Sequence, residues 1–277
     1  MSAAADALRA GDKDRFLATL FADASVREDI FALYAFNLEI ARVREIVSEP
    51  MIGEIRLQWW RDVLAGTRDA EAAAHPVAGA LMQAVRRHGL SSVPLDNLIA
   101  ARTFDLYADP MPTLNDLEGY CGETSSVLLQ LAATILNGGA DPDVADAAGH
   151  GGVAYALTGL LRALPIHAAR GQVFLPKDLA DAHGVRMEDL TAGRDTPEVR
   201  KLVGSMADIA RGHLDKARDA LKAVPDRLFA AFLPLALVEP HLDRMAARDV
   251  DPFRPMADIP QWRRQWRLYR SARRGRI

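Results

Sequence analysis

Residues 157–176 read LTGLLRALPIHAARGQVFLP. The first half has helical spacing, and Pro165 interrupts it. Proline lacks a backbone donor and its ring crowds the preceding turn, so a kink between positions 163 and 167 is predicted. Gly171 opens a break that runs to Lys177, with a short extended piece at 172–175 inside it. Away from this stretch the period is helical nearly throughout. Phe36, Ile40, Val43 and Val47 recur at i, i+4, i+7 and i+11 and mark one apolar stripe. Val77, Leu81, Met82 and Val85 form a shorter one, closed by Arg86, Arg87 and His88 in the last turn and by Gly89 as a left-handed cap. Breaks near 66–75, 91–94, 108–113, 137–142, 193–197, 223–226 and 249–260 are loop-sized. The expectation is an all-α protein of about eight to eleven helices in one domain over 1–277.

Composition narrows the class. With 49% hydrophobic and 26% charged residues the chain reads as an ordinary globular protein, long enough to bury a sizeable core. The single cysteine, Cys121, excludes an internal disulfide framework and supplies no zinc spacing. No apolar run reaches the length of a membrane span. The first residues, MSAAADALRAGDKDRF, lack a hydrophobic signal core, so export is not expected. The net charge of −3 conceals a polarity, because residues 261–277 hold seven arginines and no acid. The first 260 residues then carry 27 basic against 37 acidic side chains, or −10. A basic end on an acidic body is suited to an anionic surface.

Within residues 157–176, the positions Leu157, Thr158, Leu161, Arg162, Arg170, Gly171, Val173, Leu175 and Pro176 carry a pattern. It resembles the second aspartate-rich segment of the squalene/phytoene synthase family, which reads roughly QLTNILRDxxxDxxRGRxYLP. In that family the two aspartates hold magnesium against a prenyl diphosphate; here Ala163 and His167 stand in their places. Residues 32–49, ALYAFNLEIARVREIVSE, resemble the family's other segment, ALYAFCRxxDDIVDE. Without gaps its aspartates fall on Ala41, Arg42 and Glu45; with a three-residue shift they fall on Arg44, Glu45 and Ser48. Either way an arginine occupies a ligand position, and its fixed charge would repel magnesium. Glu39, Glu45 and Glu49 read as a charged helix face paired with Arg42 and Arg44. Losing a metal worth about 4 kcal/mol means roughly a thousandfold in rate.

The resemblance implies an isoprenoid-synthase-type helical bundle around a central cavity. Residues 35–62, AFNLEIARVREIVSEPMIGEIRLQWWRD, are similar to the non-catalytic branch typified by NADH:ubiquinone oxidoreductase complex assembly factor 6. Similarity extends over most of the chain, including 120–131, 157–185 and the neighbourhood of 252–267. A role in assembly of respiratory complex I is implied, with a complex I subunit or assembly intermediate as partner, no catalytic residue and no cofactor. The alternatives are a magnesium-dependent prenyltransferase and a prenyl-lipid-binding protein. Tyr34, Arg162 and Arg170 fall where active relatives line the prenyl diphosphate pocket, and Asn37, Glu45 and His167 complete the expected vestigial cavity. For Arg162 an ion pair with a neighbouring helix competes with a ligand role; for His167, packing near the kink does.

Two further readings concern aromatic residues. Adjacent tryptophans face different ways on a helix, so one of Trp59 and Trp60 should be core and the other at its edge. Trp262, Trp266 and Tyr269 recur at i, i+4, i+7 among arginines. Such a stripe either docks on the core with its arginines solvated, or faces a partner or an anionic membrane surface through Trp262, Arg263, Trp266, Arg267 and Tyr269. Nucleic acid is not expected, since the basic residues form a tail and not a groove-sized face. The location expected is the cytoplasmic side of a bacterial inner membrane, or the mitochondrial matrix side in a eukaryote. There is no Walker loop, HExxH or G-x-S-x-G; GHGG at 149–152 lacks a preceding strand. Asp141, Asp143 and Asp146 with Pro142 read as a charged helix start and not as a calcium loop.

Overall fold

The computed structural model describes residues 2–245, 250–255 and 258–277, and among these there is no strand. Asp249, where the last expected break begins, lies outside the described residues. Two short helices, α1 (Ala3–Gly11) and α2 (Lys13–Thr19), are separated only by Asp12, whose carboxylate caps the second by accepting from the Arg15 amide at 3.0 Å. They precede α3 (Arg27–Ala41), which is buried on every side from Ile30 to Asn37 and so runs through the core. After one residue, Arg42, the chain re-enters helix as α4 (Val43–Ile46). The apolar stripe Phe36, Ile40, Val43 and Val47 is buried across this interruption.

Next come α5 (Pro50–Leu64), α6 (Asp69–Ala74), α7 (Pro76–His88) and α8 (Val93–Arg102). Helix α7 ends as expected, with Gly89 at φ +58. On α5, Trp60 is buried against Phe36 and Trp59 sits at the edge, its indole N–H donating to Glu71 at 2.8 Å. A 3-10 turn at Thr103–Leu106 leads to α9 (Leu114–Cys121), a π-turn at Gly122–Ser126 and α10 (Val127–Leu136). Cys121 is buried, and burial pushes its thiol up to about 12 against the opposing pull of Arg102.

The longest packing contact joins α11 (Ala145–Arg162) to α15 (Pro197–Leu221). The GHGG run lies inside α11, where a Cβ on Gly152 would overlap the backbone of Ser126. The glycine therefore permits close approach of α11 to the π-turn. Pro142 does not start α11, which begins three residues later; instead Asp143 takes φ +53 and its amide donates to Asp141. Pro165 does more than kink: α11 stops at Arg162 and α12 (Leu164–Ala169) starts afresh. Residues 172–175 are buried but form no strand: the Gln172 amide donates to the His167 carbonyl, the Met111 amide donates to the Val173 carbonyl, and just beyond the segment the Lys177 amide donates to the Met111 carbonyl. Helices α13 (Lys177–Ala182) and α14 (Met187–Thr191) precede α15, and a 3-10 stretch at Asp226–Leu237 leads into α16 (Val238–Met245) and finally α17 (Gln261–Arg274). Seventeen α-helices are thus described, more than periodicity implies, because one-residue breaks at Asp12, Arg42 and Ala163 do not disturb an apolar stripe.

Candidate functional site

Asp12, Asp14 and Arg15 sit at the start of α2 and, although charged, are largely buried. Arg15 donates to Asp12 at 3.1 Å, and its guanidinium lies 5.2 Å from the ring centre of Tyr34 and 4.8 Å from that of Tyr155. A buried arginine is stabilised by a carboxylate and two aromatic faces at once. Burial pushes the Tyr34 hydroxyl up to about 12, with Arg15 pulling the other way. Tyr155 is pushed up for the same first reason. Of the expected ligand residues on α3, Tyr34 is therefore packed into this stack. Asn37 is buried, and its Oδ1 has no hydrogen-bond partner.

Beside the stack lies an ion network drawn from distant parts of the chain. Arg264 of α17 contacts Asp14 at 2.6 Å and donates to both carboxylate oxygens of Asp258 at 2.6 Å. Arg162, at the end of α11, approaches Asp258 at 3.6 Å and Asp14 at 3.9 Å. Burial raises the Asp14 carboxyl above its usual range even though Arg264 opposes the rise. Burial also acts on Asp258, but there the hydrogen bonds from Arg264 win and hold it low. His241 of α16 is buried next to these cations, and burial with the Arg162 charge depresses it to about 3, so it is neutral at pH 7. The cavity beside Arg162, lined by Leu161, Pro165, Val203, Met245 and Pro252, measures about 20 Å³. That is room for a single water. Arg162 thus makes the interhelical ion pairs that compete with a ligand role.

A second cluster surrounds the extended piece. His167 on α12 packs its ring 4.6 Å from that of Phe174, which also contacts Phe104 and Tyr120 at 5.8 Å. Burial, then Arg170 and Arg102, depress His167 to about 4. Gln172 donates to the Asp105 carbonyl at 2.6 Å, and Arg102, Asp105 and Tyr120 close a buried triangle at 2.6–2.9 Å. At the surface, Arg170 meets Glu45 of α4 at 3.5 Å, and Arg42 meets the same carboxylate at 3.5 Å. The expected acidic face differs in detail: Glu39 pairs with His75, and Arg44 donates to the Val47 carbonyl.

The C-terminal helix does not bury its aromatic stripe. Trp262, Trp266 and Tyr269 are 65%, 58% and 48% exposed, while Arg264 and Leu268 face inward. Leu268 packs in a cluster with Ala18, Phe229, Leu233, Leu237 and Ile259. Docking of the stripe on the core with solvated arginines is thereby overturned. The inward face is narrow enough to be satisfied by one leucine and one paired arginine. Arg263 lies over the Trp262 ring, and Arg267 is exposed.

The expected ligand residues therefore separate. Glu45 and Arg170 pair at the surface near His167, whereas Tyr34 and Arg162 belong to the interior networks through Arg15 and Asp14. Sequence reasoning missed Asp14, Arg15, Tyr155, His241, Asp258 and Arg264. The run Asp12–Lys13–Asp14–Arg15 offered a hint, since dense alternating charge beside an apolar helix has to be neutralised somewhere. Among the described residues no group of three or more histidine, cysteine or carboxylate side chains is arranged to hold a metal.

The squalene/phytoene synthase family profile matches residues 8–270. Complex I assembly factor 6 from Bos taurus and from Homo sapiens are each 36% identical over 248 residues, covering 90% of this chain and 74% of the relative. A phytoene synthase from Arthrospira platensis is 25% identical over 285 residues, covering 96% and 90%. Among solved structures, a dehydrosqualene synthase in complex with ligand superposes with a TM-score of 0.81 at 17% identity, over 96% of this chain and 93% of that one. That likeness establishes an isoprenoid-synthase fold.

Proposed function

The chain belongs to the squalene/phytoene synthase family, and from that premise we propose that it acts without catalysis, in assembly of respiratory complex I. The observation that carries this reading is the donor set where a magnesium–diphosphate cluster would be held. Magnesium takes hard oxygen ligands. The positions that resemble the family's aspartates hold Ala163 and His167 on one side, and Ala41, Arg42 and Glu45 on the other. His167 is a neutral ring packed at a tilt against Phe174, and Glu45 is held by Arg42 and Arg170. These residues do not fit magnesium. The buried acids nearby, Asp12 and Asp14, are tied to Arg15 and Arg264. The mammalian relatives that carry the name of a complex I assembly factor support the same reading.

In this role residues 1–277 work as one domain whose partner is a complex I subunit or assembly intermediate. The basic segment 261–277 makes contact with an anionic membrane surface, on the cytoplasmic side in a bacterium or the matrix side in a mitochondrion. No described helix is long and apolar enough to cross a membrane. A retained prenyl lipid is the second reading, motivated by the fold shared with a ligand-bound dehydrosqualene synthase. The deciding experiment measures complex I content and NADH:quinone activity in membranes of a strain lacking the gene, with prenyl lipids quantified alongside. Loss of complex I with normal prenyl lipids is expected. Normal complex I with a depleted prenyl product, or diphosphate release from farnesyl diphosphate and magnesium by the purified protein, would overturn the proposal in favour of a prenyltransferase.

A further inference from the structure

Helix α17 has two faces with opposite accounting of charge. Its inward arginine, Arg264, forms ion pairs with Asp14 and Asp258. Outward, Arg267, Arg270 and Arg274, with Arg276 just past the helix end, have no carboxylate partner among the described residues. Arg61 and Arg194, exposed on the body, each have one. The four unpaired arginines converge on one groove of about 440 Å³, completed by Arg218 and the exposed ring of Trp266. Its one acid, Glu239, already accepts from Arg218 at 2.7 Å. The groove therefore sets five arginines against one acidic side chain among the described residues. On the other flank of α17 lies a groove of about 540 Å³ with Phe21, Phe229, Leu233 and Tyr269 in its walls.

We infer that α17 is a lipid-docking helix, with the arginine groove beside Trp266 seating the phosphate of an anionic phospholipid while Trp262, Trp266 and Tyr269 enter the interfacial layer. Guanidinium forks match phosphate oxygens in pairs. Tryptophan and tyrosine favour the headgroup level, where one end of the ring is wet and the other apolar. An anionic bilayer supplies both partners on one plane, which a free phosphate does not. The aromatic stripe and the groove lie on the same helix, so one approach engages both. The inference rests on the membrane contact proposed above, and is independent of whether the client is complex I.

The test uses the purified full-length chain with vesicles of phosphatidylcholine alone, or of phosphatidylcholine with 30% phosphatidylglycerol. Co-flotation with the anionic vesicles only is expected, weakened at high salt because the contact is electrostatic in part. The triple variant R267Q/R270Q/R274Q should lower partitioning by about a hundredfold, at about fivefold per arginine. The W262F/W266F variant should abolish the blue shift of tryptophan emission on vesicle addition, since Trp60 is buried and Trp59 lies against Glu71. Circular dichroism of both variants guards against misfolding. Equal binding to neutral vesicles, unchanged binding of the triple variant, or full displacement by millimolar inorganic phosphate would each overturn the inference, the last by revealing a free-anion site. Failure to float, with complex I still lost in the deletion strain, would remove the lipid site and leave the assembly role standing.

Discussion

The interior network around Asp14 and the outer face of α17 are built from the same residue types and behave in opposite ways. Inside, the buried Arg264 is matched by the buried Asp14 and by Asp258 at the rim, which the half-exposed Arg162 also approaches, and His241 is kept neutral beside them. Outside, four arginines a few residues away have no carboxylate partner among the described residues. Buried charge must be neutralised within the fold, because desolvation leaves no alternative. Exposed charge is free to wait for something external. The contrast shows that charge density along the tail is uninformative about role until the facing of each arginine is known.

The sharpest way to break the contrast is Arg264→Ala. It leaves Asp14 buried beside Asp12 with only the distant Arg162, so a loss of about 3 kcal/mol in urea unfolding is expected. Adding Asp14→Asn should recover part of that loss; no recovery would mean that Arg264 contributes through packing and not through charge. A smaller effect follows from pH. His167 and His241 titrate near 6.5 when unfolded but are depressed to about 4 and about 3 in the fold. The unfolded chain therefore binds more protons below pH 6.5, and stability present above that value is lost progressively as pH falls toward 4. At about 1.4 kcal/mol per unit for each group, and allowing for partial solvation, a drop of about 2 kcal/mol from pH 7.5 to 5.5 is expected. His241→Gln should flatten the profile. Vesicle binding through the tail arginines should not weaken over the same range, because guanidinium does not titrate there.

Smaller still is the exposed pair at the other end of the former motif helices. Arg170→Gln frees Glu45 to Arg42 alone and should cost about 0.5 kcal/mol, since half-exposed pairs at 3.5 Å are screened. A cost several times larger would mean that this pair is part of the buried network. At the bottom of the scale, Arg270→Gln on the outer face should leave the unfolding midpoint unchanged, within about 0.5 kcal/mol. A clear destabilisation there would show that the outer arginines are structural after all.

Much of this architecture was legible from spacing. The buried stripe from Phe36 to Val47, the glycine cap of α7 and the division between Trp59 and Trp60 all follow from helical period and backbone chemistry. The break at Arg42 was less so, because a tilt at one residue leaves the apolar period intact; the one at Ala163 follows from Pro165, although it restarts the helix where only a kink was expected. The direction of the C-terminal stripe was not legible. A helix with large aromatic rings on one side and a lone leucine on the other reads as burying the rings, unless it is known that Arg264 finds Asp14 and Asp258. That pairing joins the two ends of the chain, and no local pattern encodes it. The same is true of Arg15, whose partners Tyr34 and Tyr155 lie on α3 and α11.

Cys121, the chain's one thiol, sits in the core with its pKa pushed up to about 12. At neutral pH almost none of it is thiolate, and reagents that attack the thiolate have no path to it. The native protein should therefore resist maleimides and iodoacetamide, which thiol labelling with and without denaturant would check. A single cysteine placed at the exposed Gln265 of α17 would be the one addressable thiol on the molecule. A fluorophore or spin label attached there would report directly on how the tail helix moves when its partner arrives, with no background from the body of the protein.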